Sequence, residues 1–538
     1  MTDPSAHAPK PLFGSLLDDH LLHYRHSETG EHTAATLPEL FVAMAQDAVR
    51  DFPALRPHQR HPWHAFLVQL AAIALHHAGQ AEPFATAGEW RTALLALTPD
   101  EADGAAWCLV SPVNRPAFMQ APEPSGSISE WKNVCTAADE LDMLVNSKNH
   151  DLKASRMLGC TLEDWVYALI SLQTQEGFLG AGNYGISRMN RGFANRCGVG
   201  IHPNGMWGKR WMRDLLALSG NRIQTVEANG FGESGQHALL WILPWDGTQS
   251  LSFASLDPWY IEICRRVRLV KTDQIKAQLI GSKTSRIAAK DLNGVTGDPW
   301  MPVDTTQAKA LTIGARGFDY KLASQLLFGQ KYTKPSAQTW LATDDMDGVQ
   351  LIAQGVARGQ GKTEGYHERR IPITRKVRQG LMMQRTDEFA KLADERIEAI
   401  GEIRKMLWAA IAVLFANGAK DESGKDKDTA DTVKERAGVF AQPFETQCDA
   451  NFFVELCEEI EADDRDAVRT QWLRSLSVRA EDVLRAAFVA GPRNGQLLYR
   501  AQAAALSRLH SAMRGNKLPA LVAVLKSQSP KEETHEHN

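Results

Sequence analysis

The sequence predicts an α+β chain: a large mixed domain over residues 1–379, an all-α four-helix bundle over 380–520, and a polar, unordered tail over 521–538. Three observations carry that prediction. Helix-period and short alternating segments are interleaved up to Gln379, and only helix-period segments follow it. A hydrophilic run, DESGKDKD at 421–428, interrupts the helical part as a linker would. The length of 538 residues also exceeds what one hydrophobic core organises, so two to four domains are expected.

The elements follow in order. Residues 11–30 read as a short strand and a turn, with Gly30 and Glu31 at the turn. HPWHAFLVQLAAIALHHAG reads as a helix, with Pro62 near its start and Gly79 past its end. Its expected buried stripe is Trp63, Phe66, Leu67, Leu70, Ile73 and Ala74. LEDWVYALISLQTQ is a second helix and RWMRDLLALSG a third. From about 235 to 379 the texture changes to short apolar or alternating segments between turns, such as YIEICRRVRLV and GVQLIAQGVARG. Within CRRVRL the alternation puts some arginines on a solvated strand face. TDEFAKLADERIEAIGEIRKMLWAAIAVLFA, FFVELCEEI, DAVRTQWLRSLSVRAEDVLRAAFV and QLLYRAQAAALSRLH supply the four bundle helices.

Composition narrows the class. At 43% hydrophobic and 23% charged the chain is globular. A formal net charge of −4 gives no global case for nucleic-acid binding, so any polyanion surface must be local. The seven cysteines form no CxxC pair, so neither a disulfide framework nor a four-ligand zinc site is expected. A reducing, cytoplasmic compartment fits better. The N-terminus lacks a signal-peptide pattern, and FLVQLAAIAL and MLWAAIAVLFA are too short to span a bilayer. His64, His76 and His77 share one helix but lack an acidic third ligand, so no metal or cofactor is expected there.

Three basic segments stand out. Residues 177–196, GFLGAGNYGISRMNRGFANR, hold five glycines and three arginines. From Gly177 to Arg213 there are six Lys/Arg and no acid. A dinucleotide fold would need a strand before these glycines, where a helix stands, and the GK[ST] of a P-loop is absent. Glycines instead let backbone approach a groove or phosphate closely, with Arg188, Arg191 and Arg196 adding charge. A plain surface loop is the alternative. Between Arg265 and Lys290 lie eight Lys/Arg and one acid, either a solvated face or a phosphate-contacting one. From Arg358 to Arg378 there are seven Lys/Arg and two acids, opened by the tight tip GQGKTEG, which could enter a minor groove. A fourth loop, 146–156, is mildly basic or simply a connection. No HExxH, GxSxG, HRDxxxxN or two-metal carboxylate set occurs, so the chain does not read as an enzyme.

In order along the chain, PLFGSLLDDHLLHYR, NRPAFMQ, GFLGAGNYG…MNRGF, DPWYIEICRRVRL, GDPWMPV and GQGKTEGYHERR resemble the CasA family, the large subunit of the type I-E Cascade complex of CRISPR immunity. No one motif is strong; their order and spacing are. The resemblance implies a large α/β-type domain joined to a four-helix bundle, without nuclease activity. It implies recognition of the protospacer-adjacent motif from the minor-groove side, a start to strand separation, and docking of a helicase–nuclease. Guide RNA, other Cascade subunits, duplex target and displaced strand are the implied partners. Carried over by position, the glycine loop is Gly177, Phe178, Leu179 and Gly180. The wedge is Gln360, Gly361, Lys362 and Thr363, where the family pattern has an Asn–Gln pair; the difference bears on base preference more than on role. The basic finger is Lys290, with Arg286 the second choice. Backbone or guide contacts fall to Asn146, Lys148, Lys153, Arg156, Arg188, Arg191, Arg265 and Arg266. Some relatives carry a mid-chain cysteine cluster; only Cys264 stands here, so no zinc is expected. A purely structural assembly subunit holding guide RNA or partner proteins is the alternative function.

Overall fold

A computed structural model describes residues 12–142, 160–190, 192, 194–232, 237–344, 348–359, 362–383, 385–417 and 431–526. Two compact units result: Met1–Phe318 with Gln330–Ile373, and Asp319–Gly329 with Thr374–Asn538. The chain thus contributes an internal segment, 319–329, to its helical unit, although it falls within the 1–379 domain expected from the sequence.

The mixed unit is organised by the helix Arg60–His77. Every residue from His61 to Leu75 is buried, so all its faces are covered and not only the anticipated stripe. The reason is composition: its small alanines and large Trp63, Phe66 and Leu70 let neighbours close in on every side. Helices Leu162–Gln175 and Trp207–Asn229 and strand Leu256–Ile261 pack around it. Its polar groups are matched. Gln69 Nε2 donates to the carbonyls of Trp259 and Tyr260 at 2.9 and 3.0 Å. His64 Nε2 lies 2.8 Å from Asp214, which also accepts from Trp300 Nε1 at 3.0 Å. His64 therefore serves a buried polar network and is no partner of His76 and His77, which are exposed at the helix end.

Burial keeps several histidines neutral. His64 is driven down to about 4 by burial and by the Arg210 charge, against the pull of Asp214. Burial and Arg210 likewise drive His202 down to about 3, and burial with Arg196 pushes His61 well below its ordinary value. The unfolded chain takes up these protons below 6.5, and the folded chain refuses them. Stability should therefore be complete above pH 6.5 and fall steadily as pH drops from 6.5 to about 4. Melting temperature measured across that interval should decline; a flat profile would contradict neutral burial.

Strands are short and dispersed. Among the described residues they form sheets of two or three strands, with no central sheet. The longest elements are the hairpin Val349–Gly359 and Lys362–Ile373, antiparallel over eleven registered pairs. Strand Gly198–Pro203 adds to its outer edge, pairing with Val349 to Gln354 over six positions.

The helical unit contains the four long helices Thr386–Phe415, Asp431–Glu461, Arg465–Ala487 and Gly495–Met513. Helix Tyr320–Leu327 joins them from the internal segment, its Tyr320 ring 5.0 Å from Phe452. Arg396 and Glu459 pair at 2.7 Å in the interior, and the guanidinium lies 4.2 Å above the Trp472 ring. Residues 521–526, expected to be unordered tail, belong to the helix Pro519–Lys526, with Leu521 fully buried; the rest of that tail lies outside the described residues. Apolar residues at 521, 522 and 524 give the helix a face to bury. No described helix is long and apolar enough to cross a membrane.

Candidate nucleic-acid interface

The glycine-rich segment is delivered by helix Leu162–Gln175 and fixed before it begins. Thr161 caps the helix, its hydroxyl accepting from Asp164 N while Asp164 accepts from Thr161 N at 2.7 Å. Near the other end, Gln173 Oε1 accepts from the backbone N–H groups of Cys264 and Arg265, both at 2.8 Å. Its Nε2 donates to the carbonyls of Met119 and Arg265 at 2.9 and 3.0 Å. One amide side chain thus sets the register between the helix end and the segment carrying Arg265.

Arg265 then shapes the loop. Its Nη2 donates to the Gly177 carbonyl at 2.8 Å and to Glu176 at 3.1 Å, and its Nη1 donates to the Tyr184 carbonyl. A single guanidinium therefore ties both stems of the 177–185 loop together. Glu176 is buried, which raises its carboxyl, while Arg265 opposes that rise. Gly177 and Gly185 touch each other at the loop base: a Cβ on Gly177 would lie 2.0 Å from the Ala194 carbonyl, and one on Gly185 2.6 Å from Gly177 C. Gly180 differs, since nothing lies within 4 Å of its missing Cβ; it is needed because φ is +117°. Leu179 is exposed, so the tip presents backbone and one apolar side chain outward. Ser282 N donates to the Gly182 carbonyl at 2.9 Å, docking the loop on the turn that leads toward Lys290.

That docking brings two candidates together. Phe178, Tyr184 and Ile186 form one wall of a cleft of about 440 Å³; Ser285, Ile287 and Lys290 form the other. Lys290 is exposed at the start of a single 3₁₀ turn, Lys290–Leu292. Residues more than a hundred positions apart in the chain thus meet across one opening.

The far end of the glycine-rich segment is anchored by the GDPW motif. Arg196 Nε and Nη2 donate to Asp298 at 2.6 and 2.9 Å, with both side chains buried. Asp298 also accepts from Trp300 N at 3.0 Å.

Several expected phosphate contacts are internal. Arg188 is 1% exposed, its guanidinium 3.8 Å above the Tyr260 ring and donating to the Tyr260 carbonyl. Arg265 is the loop's tie. Arg266 pairs with Glu123 and stacks 5.0 Å from Trp131. Arg286 donates to the carbonyls of Leu240 and Leu243 and lies over Trp245. Arg268, from the same strand Arg266–Lys271, is 0% exposed and bonds the carbonyls of Ser111, Pro112 and Arg115 at 3.0 Å each. The solvated strand face anticipated for these arginines is therefore an inner one. For Arg265, Arg268 and Arg286 the physical reason is shared: irregular segments leave carbonyls unpaired, and a guanidinium satisfies several at once. The sequence carries no signal for this beyond the aromatic residues that Arg188, Arg266 and Arg286 cover.

Thr363 stands opposite Arg358 near the hairpin end, and Lys362 opens the second strand. Gln360 and Gly361 lie outside the described residues, as do Asn146, Lys148, Lys153, Arg156 and Arg191. Among the described residues no group of three or more His, Cys, Asp or Glu could hold a metal ion.

As geometry this is an open cleft flanked by backbone and a cation, on an α+β unit attached to a helical one. Solved structures share that architecture. The CRISPR-associated protein Cse1 from Acidimicrobium ferrooxidans is similar with a TM-score of 0.59 at 15% identity, over 97% of this chain and 100% of that one. CasA (Cse1) from Thermus thermophilus is similar with a TM-score of 0.58 at 13% identity, over 93% of this chain and 100% of that one. Cse1 from Thermobifida fusca gives 0.60 at 13% identity, over 94% and 98%. No protein-family model matches the sequence, and no curated protein matches it. The chain has the fold of CasA.

Proposed function

We propose that this chain is the non-catalytic large subunit of an RNA-guided CRISPR surveillance complex, reading a protospacer-adjacent motif in duplex DNA from the minor-groove side. The observation that supports this most directly is the one cleft shared by the glycine loop and Lys290. Backbone around Gly180 can approach a groove floor without side-chain bulk. Lys290 offers donors to the N3 and O2 acceptors that A·T and T·A pairs share there, so tolerance of several motif sequences follows. Residues 360–363 at the hairpin end would enter the first opened step. Melting costs about 1.4 kcal/mol per step, so such a wedge traps one step while guide pairing supplies the rest. The partners are guide RNA, the other Cascade subunits, the duplex target with its displaced strand, and a helicase–nuclease, all in the cytoplasm. Direct DNA contact falls to the loop, Lys290 and the tip. Arg188, Arg265, Arg266 and Arg286 hold the scaffold.

Lys290→Ala in the assembled complex should weaken binding to motif-bearing duplex by about tenfold, the size of one lost groove contact. Discrimination against a scrambled motif should shrink, while guide RNA and partner subunits co-purify unchanged. Unaltered discrimination would leave the chain as an assembly subunit only.

A further inference from the structure

The mixed unit carries a second cavity, also about 440 Å³, that shares no residue with the glycine-loop cleft. It lies where strands Leu22–His26 and Val49–Asp51 meet the hairpin sheet and the start of helix Trp207–Asn229. Arg25, Arg50, Arg60, Arg210 and Arg370 line it. Asp51 is its one acidic lining residue, and Arg25 already takes both of its oxygens at 2.7 Å. Arg370 is paired with Glu368 at 2.7 Å. Arg50 and Arg60 have no carboxylate partner among the described residues.

The floor points to a missing anion. Arg210 is only 6% exposed, yet its Nε has no hydrogen-bond partner. The closest carboxylate, Asp214, stands 3.9 Å from that nitrogen and is engaged by His64 and Trp300. A buried donor left unmatched is costly, and an anion in the cavity would satisfy it. Trp207, another lining residue, also has an unmatched donor, its Nε1. The helix of 23 residues begins here with no side-chain cap at Met206, so its positive end faces the same opening.

We propose that this cavity binds the phosphates of a nucleic-acid strand. The positive charge runs from the buried floor at Arg210 to exposed Arg50 and Arg370 at the rim. That gradient fits a ligand with several negative charges along its length, one phosphodiester at the floor and its neighbours at the rim. A single inorganic phosphate would leave most of the volume and the rim charges unused. The site stands independently of the motif-reading cleft.

The test titrates the full chain with a short fluorescein-labelled oligothymidylate and follows anisotropy over a range of salt. Arg50→Ala/Arg60→Ala should lower affinity roughly tenfold and make the slope of log K against log salt shallower by about 1.4, as expected for two lost phosphate contacts on a single strand. Arg60→Ala alone should give about half that change in slope. Circular dichroism checks that both remain folded, which their surface-side positions favour. In a Lys290→Ala background the same decrements should recur, separating this site from the other cleft. Equal affinity and slope in wild type and both variants would overturn the proposal. Inorganic phosphate raising the melting temperature of wild type but not of the double variant, with strand binding unchanged, would also overturn it in favour of a small-anion site.

Discussion

Replacing Asp298 by alanine is expected to cost the mixed unit about 3–5 kcal/mol, the usual result of breaking a buried ion pair from one side. Against a total stability of about 5–15 kcal/mol, that is enough to leave much of the protein unfolded at physiological temperature. Burial alone would raise the Asp298 carboxyl; the charges of Arg196 and Arg188 outweigh it and hold the group below its ordinary value. Removing it strands the Arg196 guanidinium in a site 2% exposed and frees the Trp300 amide of its acceptor. Asp298→Asn keeps an acceptor for that amide and should lose less. Denaturant unfolding of the three proteins gives the comparison. A loss below about 1 kcal/mol in the alanine variant would mean that Arg196 finds another acceptor and that GDPW does not anchor the glycine-rich segment.

Arg265→Ala should be nearly as costly to stability and more damaging to the site. It leaves three acceptors behind: the Gly177 and Tyr184 carbonyls and the Glu176 carboxylate. The last is the most serious, because a buried carboxylate without its cation must take up a proton or drag in water. A loss of about 3 kcal/mol is expected, with duplex binding falling at least tenfold as the loop stems separate. Adding Glu176→Gln should recover part of the stability, and a double-mutant cycle reads that coupling directly. Recovery of loop function should be smaller, since the two carbonyls stay unmatched. Arg265→Lys separates the roles further: an ammonium can pair with Glu176 but cannot fork across two carbonyls. Full duplex binding by the lysine variant would sink the idea that the fork holds the loop.

What the sequence made legible follows from periodicity and glycine chemistry. The helix of residues 60–77 and the bundle helices 386–415, 465–487 and 495–513 were readable because apolar residues recur at helical spacing over many turns, whereas of Asp431–Glu461, which carries Pro443, only FFVELCEEI was. The 177–185 loop was readable because its glycines follow a helix with no strand before them. Lys290 and Arg286 mark the limit. They are four residues apart and of like charge, yet one is exposed beside the cleft and the other is buried on the carbonyls of 240–244. That difference depends on carbonyls some forty residues away, which no local pattern records. Arg268 makes the same point with partners about 150 residues distant. The arginine-lined cavity was hidden for the opposite reason: its five cations come singly from separate segments, so no run of charge announces them.

The long hairpin has a mechanical consequence. Strand Gly198–Pro203 backs only the six pairs nearest its root, from Val349 to Gln354; the remaining five continue without a third strand, and there Val356 and Ala357 are still buried. Side-chain packing, and not strand pairing on both edges, holds that outer half. The change of support falls at Gly355, where an added Cβ would lie 2.9 Å from Cys197 Cβ and 3.0 Å from Ile313 Cδ1. A load on the outer half therefore bears on Cys197, the residue between Arg196 and strand Gly198–Pro203. Push on the tip, and the strain is carried back along the chain to the stem of the glycine-rich segment.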